Sequence, residues 1–180
     1  MSTTESGERV VLLDDNGTPI GQALKAEVHT SETPLHLAFS CYVFNEHGEV
    51  LITRRALEKL TWPGVWTNSF CGHPGPGEEF VPALHRRAEQ ELGMTVSEVE
   101  LALPDFRYRA VDASGVVENE ICPVFVARAA SEPAPHADEV AEFTWAPLDE
   151  LVRTAESVPS LLSPWMVMQL PQLQDWLASR

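Results

Sequence analysis

The stretch CGHPGPGEEFVPALHRRAEQELGM, residues 71–94, changes character at its middle. Its first half is a Gly/Pro loop. Its second half repeats Leu84, Ala88 and Leu92 at helical spacing, with Pro82 near the start and Gly93 at the stop, which predicts a helix. A turn needs the glycines and prolines, but it has no need of the Cys71 thiol, the His73 imidazole or the Glu78 and Glu79 carboxylates. The helical stripe that should face a core reads Leu84, Arg87, Ala88, Glu91, Leu92, so two of its members are charged. One reading is an i, i+4 surface pair worth about 0.2–0.5 kcal/mol. The other is a polar site at the core edge, where buried charges need partners such as a metal or a phosphate.

Outward from this unit the chain reads mostly as hairpins. RVVLLDDNGTPIGQAL (9–24) turns at Asp-Asn-Gly, and LHLAFSCYVFNEHGEVLITRR (35–55) turns at Asn45–Gly48. VWTNSF (65–70) is a short strand entering the loop. DFRYRAVDASGVVENEICPVFVAR (105–128) reads as one long hairpin turning at Asp112–Gly115. EFTWAPLDELV (142–152) is a strand and a short helix, SPWMVMQLPQLQDWL (163–177) is mostly helical, and RAASEPAPHADE (128–139) reads as an exposed loop. Hairpins around one central helix imply an α+β class, a mixed β-sheet sandwich with flanking helices. No repeat or linker divides the chain. Residues 1–8 are expected to be disordered and 9–180 to form one domain.

A net charge of −15 over 180 residues argues against a surface that coats nucleic acid. Of the twelve Lys and Arg, six are Lys25, Arg54, Arg55, Lys59, Arg86 and Arg87, a set that suits a small anion or ordinary surface charge. No apolar run approaches the ~20 residues of a membrane span. The odd count of three cysteines and the lack of an apolar leader imply a cytoplasmic chain with reduced thiols.

Glu118 and Glu120, at i, i+2 on a strand, point to one face, where they repel unless a cation or proton relieves them. With His29, His36 and His73 they would suit a six-coordinate first-row divalent metal, although spacing alone does not bring the three imidazoles together. His47, His85 and His136 read as surface residues, and Cys41 and Cys122 as small core residues. Trp62 and Trp66 read as core or loop packing. Cys71 differs from the other thiols: in its loop it can be reached and tuned.

Gly72, then Glu78, then RRAEQELGM (86–94) follow the spacing of the Nudix box, a loop and helix that present glutamates to the cation of a diphosphate. Here Arg87 and Gln90 stand where that box has glutamates. A hydrolase needs several carboxylates to hold Mg2+ and activate water. The helix is thus a poor water-activating site and a plausible diphosphate clamp. HLAFS, TRRA, WPGVWTNSFCGHP, RRAEQELG, DFRYRA, VENEICPVF and SPWMVMQ, in order from about Val10 to Gln169, closely resemble the type 1 isopentenyl diphosphate isomerases, a branch of the Nudix fold.

The resemblance implies a single catalytic domain with a Nudix-like core at about 34–168. It implies a metal-dependent 1,3-allylic proton shift from isopentenyl to dimethylallyl diphosphate through a tertiary carbocation. Cys71 and Glu120 would face each other across the alkene, with Tyr108 near the acid and Trp165 beside the reacting carbon. An indole face suits a cation without attacking it. His29, His36, His73, Glu118 and Glu120 would hold one Mn2+, Zn2+ or Mg2+. Glu91 and the Cys71 carbonyl would hold a diphosphate-bridging Mg2+, and Lys25, Arg55, Lys59 and Arg87 would hold the phosphates. Cys71 would act as a thiolate, helped by local positive charge. The partner is then a small allylic or homoallylic diphosphate, with no nucleic acid or membrane, and the chain is expected to be a monomer. A Nudix hydrolase and a non-enzymatic diphosphate-binding module are the competing readings. Arg87 and Gln90 count against the first, and the second would have no use for Cys71 opposite Glu120.

Overall fold

A computed structural model describes residues 7–180. Its elements begin with β1 (Arg9–Leu13), β2 (Pro19–Leu24), a single turn α1 (Lys25–Val28), β3 (His36–Leu37), β4 (Phe39–Phe44) and β5 (Glu49–Arg55). There follow β6 (Trp66–Thr67), β7 (Phe70–Gly72), α2 (Phe80–Leu92), β8 (Val96–Leu103), β9 (Arg107–Val111) and β10 (Val117–Ile121). The chain ends through β11 (Val124–Ala129), β12 (Val140–Pro147), α3 (Leu148–Ser157) and α4 (Pro164–Ala178). The expected disorder over 1–8 lies, for residues 1–6, outside the described residues. Glu8 is described, and its carboxylate lies 2.9 Å from Lys25 Nζ.

The strands form two sheets. One has the order β2-β1-β3-β10-β9; the other has the order β12-β5-β4-β11-β8, with β6 added on β5 and β7 on β4. Two strand pairs pass from the first sheet to the second together. In the first sheet β3 and β10 run parallel, with His36 opposite Glu120. In the second, β4 and β11 run parallel, with Ser40 opposite Val124. The crossing is stitched by Ala38 N–H to the Ile121 carbonyl at 2.9 Å and Ser40 N–H to the Pro123 carbonyl at 3.0 Å. A fork between two sheets results, and the cavity described below opens at it.

This crossing corrects the single long hairpin expected over 105–128. The β9–β10 pairing stops at Arg107 opposite Ile121. Pro123 has no N–H to continue the ladder, and the chain enters the other sheet as β11. β8 was not expected at all. Its outward Ser97, Glu98 and Glu100 break any clean alternation, and Glu98 has φ +49.

The second sheet is covered on both faces. Phe39, Cys41, Val43, Leu51 and Phe70 pack with Leu84, Ala88 and Leu92 of α2 on one side. Tyr42, Val50 and Ile52 pack with Trp165, Met166, Leu170 and Leu173 of α4 on the other. β4 is therefore buried along nearly its whole length, as a strand between two helical layers must be.

The end of α2 matters for the site. Gly93 takes the left-handed conformation at φ +55, its N–H bonding the Glu89 carbonyl at 2.9 Å. Two more orphan carbonyls are satisfied by the 130–139 loop: Ala134 N–H reaches Leu92 at 2.8 Å and His136 N–H reaches Glu91 at 3.1 Å. A methyl at Gly93 would collide with the Ala134 carbonyl. Gly93→Ala should cost about 1–2 kcal/mol from the left-handed backbone alone, and more from that contact. An unchanged urea midpoint for this variant would refute the tight seating of the loop on α2.

Candidate active site

The cavity at the fork holds about 730 Å3, a ligand-sized space. Strand register builds one wall. Tyr108, Glu120 and His36 lie opposite one another on β9, β10 and β3, so all three side chains share a face. The Tyr108 hydroxyl donates to Glu120 Oε2 at 3.1 Å, and His73 Nε2 lies 3.1 Å from Glu120 Oε1. Glu118, two residues before Glu120, has its Oε2 2.9 Å from His29 Nε2 and its Oε1 2.9 Å from the Thr61 hydroxyl that donates to it.

The three imidazoles that spacing could not join do meet. Ring centroids of His29, His36 and His73 are 5.1–5.9 Å apart. One ligand atom from each, with one from Glu120, falls within a 4.8 Å set. Glu118 stands alongside through His29 and is not in that set. The donor chemistry fits a divalent cation. His36 is fully buried and its Nδ1 is 2.9 Å from the Pro34 carbonyl, so Nδ1 carries the hydrogen. Its Nε2 lies 3.4 Å from Glu120 Oε1, with no hydrogen bond. A buried nitrogen and carboxylate so placed want a proton or a metal cation between them, and the neutral imidazole offers a metal its lone pair.

The charge balance follows from burial and contacts. Burial opposes ionisation of Glu120, but His36 and His73 outweigh it and hold the carboxyl well below its ordinary range. Glu118 moves the other way, raised by burial and by the Glu120 charge. Burial pushes His73 down to about 3, so it is neutral at pH 7 and serves as a hydrogen-bonding ligand rather than a counter-ion. Burial also opposes protonation of His36, yet Glu120 raises it. The anionic state of Glu120 thus leans on His36.

Cys71, on β7, lines the same cavity. It pairs with Ser40 in the β4–β7 register, which turns its side chain toward α4 and turns Gly72 toward α2. Among the described residues, burial and carboxylates outweigh the cations in their effect on the thiol. Burial pushes it up to about 12; Ser40 and Asn68 offset this in part, and the Glu120 and Glu91 charges add to it. Trp165 closes the site from α4. It is buried, with the Tyr108 ring 5.8 Å and the Trp62 ring 5.4 Å away. Trp62 holds φ +43, a strained backbone for a bulky residue, and as loop packing against the core it meets the indole edge-on.

The cations divide cleanly. Lys25, Arg55, Lys59 and Arg87 line the cavity. Arg54 faces Glu142 at 3.2 Å instead, and Arg86 is bound to Glu78 at 2.9 Å. The Arg55 guanidinium lies 5.5 Å from the Trp165 ring and donates to the Thr61 carbonyl at 2.9 and 3.0 Å. Arg87 is only 5% exposed, donates to Glu91 at 2.6 Å, and leaves its Nε without a partner. The i, i+4 pair therefore forms, but inside a polar site rather than on the surface. Glu139 escaped sequence reasoning. The loop read as exposed delivers its carboxylate between Lys59, to which it is ion-paired, and Arg87 at 3.4 Å. His136, expected on the surface, is exposed and also borders the cavity. The backbone bonds that bring this loop onto α2 leave no residue-type signal.

A NUDIX domain family model matches residues 34–166. An isopentenyl-diphosphate Delta-isomerase from Clavibacter sepedonicus is 61% identical over 166 residues, covering 92% of this chain and 87% of that one. The protein of the same name from Kocuria rhizophila is 56% identical over 179 residues, covering 98% and 99%. In backbone shape the chain is similar to DR0079 of Deinococcus radiodurans, at TM-score 0.70 and 17% identity, covering 92% of this chain and 99% of that one.

Glu139 yields a pH prediction. Burial opposes its ionisation, but Lys59 and Arg87 lower its pKa below the ordinary value. A depressed carboxylate contributes stability that is present above its unfolded pKa of about 4.3 and lost as pH falls below it. Glu139→Gln should therefore lose less stability than the parent between about pH 6 and pH 3, as read by thermal unfolding at each pH. Parallel curves would remove Glu139 from this role.

Proposed function

Because the chain belongs to the Nudix superfamily, and within it to the type 1 isopentenyl diphosphate isomerases, we propose that Cys71 and Glu120 move the protons that convert isopentenyl to dimethylallyl diphosphate. What supports this is that the two groups line one cavity from different sheets, with the Trp165 indole lining it as well. Forward, Glu120 as carboxylic acid gives its proton to the terminal CH2 carbon, leaving a tertiary cation. Cys71 as thiolate takes a proton from the CH2 carbon next to the alkene, and the new double bond forms there. Trp165 offers its face to the cation, and the absence of a good nucleophile at that face protects the intermediate. Tyr108 holds Glu120 in place through its hydroxyl.

Lys25, Arg55, Lys59 and Arg87 would grip the diphosphate. The unpartnered Nε of Arg87 is a donor of the kind that a phosphate oxygen accepts from. His29, His36, His73, Glu118 and Glu120 would hold one Mn2+, Zn2+ or Mg2+, and Glu91 with the Cys71 carbonyl would hold Mg2+ against the diphosphate. Bound there, such ions would acidify the Glu120 carboxyl and supply the positive charge that a thiolate at Cys71 needs. Between turnovers the proton must pass from the sulfur back to the carboxyl, because the raised thiol and the depressed carboxyl describe the inventory left after a forward turnover. That return step exchanges with solvent. We further propose a monomer working in a reducing cytoplasm, to which the three free thiols are suited. Among the described residues no helix is long and apolar enough to cross a membrane.

In deuterated water, isopentenyl diphosphate should give an allylic product with deuterium in a methyl group. Orthophosphate release without exchange would favour a hydrolase. Cys71→Ala and Glu120→Gln should each lower kcat by about 10²–10⁴-fold with circular dichroism unchanged. A variant that retains activity strips its residue of the role. Chelation should silence the enzyme, and a divalent metal should restore it.

A further inference from the structure

Asn68 lies fully buried on the link between β6 and β7. Its Nδ2 donates to the carbonyls of Cys41 at 3.0 Å and Phe70 at 2.9 Å, which fixes the way the amide faces. Its Oδ1 then meets three donors: the Thr67 hydroxyl at 2.9 Å, the Trp165 indole N–H at 3.0 Å and the Cys71 thiol at 3.4 Å. A carbonyl oxygen has two lone pairs, so three donors oversubscribe it and the thiol holds the weakest share. We propose that Asn68 is a positioning residue which sets the sulfur of Cys71 and the indole of Trp165 relative to each other through one shared oxygen.

These two groups come from distant parts of the chain, β7 and α4, and approach the cavity from different layers. The proton shift requires them at adjacent carbons of one small alkene. The sulfur must reach a hydrogen beside the cation, and the ring must face the cation itself. A misplacement of about 1 Å in such a site can cost on the order of 100-fold in rate. Asn68 is not among the residues that line the cavity, and its amide bonds none of Lys25, Arg55, Lys59 or Arg87, so its effect has to pass through Cys71 and Trp165. The two ends of the amide separate this role from a merely structural one. The Nδ2 end serves backbone carbonyls and would stabilise the turn in any protein, whereas the Oδ1 end serves only reactive-site side chains and the Thr67–Ser163 hydroxyl pair, whose oxygens are 2.7 Å apart.

The inference rests on the isomerase reading, and turnover of isopentenyl diphosphate by the unaltered protein tests that reading separately. Asn68→Ala should lower kcat by about 100-fold with KM changed less than about threefold. Affinity for inorganic pyrophosphate should hold, while affinity for dimethylaminoethyl diphosphate, whose protonated nitrogen mimics the tertiary cation, should fall at least about tenfold. Equal weakening of both ligands, or a rise in KM at constant kcat, would overturn the proposal. A second measurement does not depend on that variant folding. In Cys71→Ala the Trp165 indole N–H resonance, assigned by its loss in Trp165→Phe, should shift because a competitor for the shared oxygen has gone. An unmoved resonance would equally overturn it.

Discussion

Glu120 is ionised while only 4% exposed, and the site is organised around that fact. A buried carboxylate costs several kcal/mol unless hydrogen bonds and charge surround it. Its partners come from three places: Tyr108 across the ladder on β9, His36 across the ladder on β3, and His73 from the loop after β7. Placing one charge thus commits the parallel pairing of β3 with β10, the joint crossing into the second sheet and the approach of the β7 loop. Glu118 is displaced in the opposite direction, first by burial and then by that same charge, as expected where one buried anion is held more readily than two.

The phosphate side follows a different logic. On α2 the buried stripe carries Arg87 and Glu91, and the 130–139 loop adds Glu139. Cations and carboxylates here nearly neutralise one another. In the proposed function an incoming diphosphate would take over the cations from Glu139 without a large cost of burying new charge. The carboxylate crowd that a water-activating Nudix helix requires is absent, which fits proton transfer rather than hydrolysis.

Much of this was legible in the residues. The α2 stripe predicted both the helix and its charged face, because 3.6-residue periodicity survives in any context. Glu118 and Glu120 announced a shared face through strand alternation alone. What stayed hidden depended on backbone groups and on register between distant segments. Pro123 was visible, but its effect, ending one sheet and starting another, was not. β8 lacked alternation because its register is irregular, with the neighbours Ser97 and Glu98 both outward and Leu101 exposed. Glu139 is delivered by the N–H groups of Ala134 and His136, which every residue type but proline could provide. Asn68 fell inside the short strand read over 65–70, and its three donors come from as far away as Trp165.

Gly72 holds one last consequence. A methyl placed there would lie 2.6 Å from Arg87 Cγ and 2.6 Å from Phe39 Cζ, so α2 presses on β7 as closely as a bare backbone permits. Cys71 precedes it on the strand and Arg87 sits against it on the helix. The spacing between the Cys71 strand and the Arg87 helix is therefore gauged by a missing side chain. In the proposed function that spacing would act as a caliper between alkene and diphosphate, and a single added carbon atom would widen its jaws while leaving both chemistries intact.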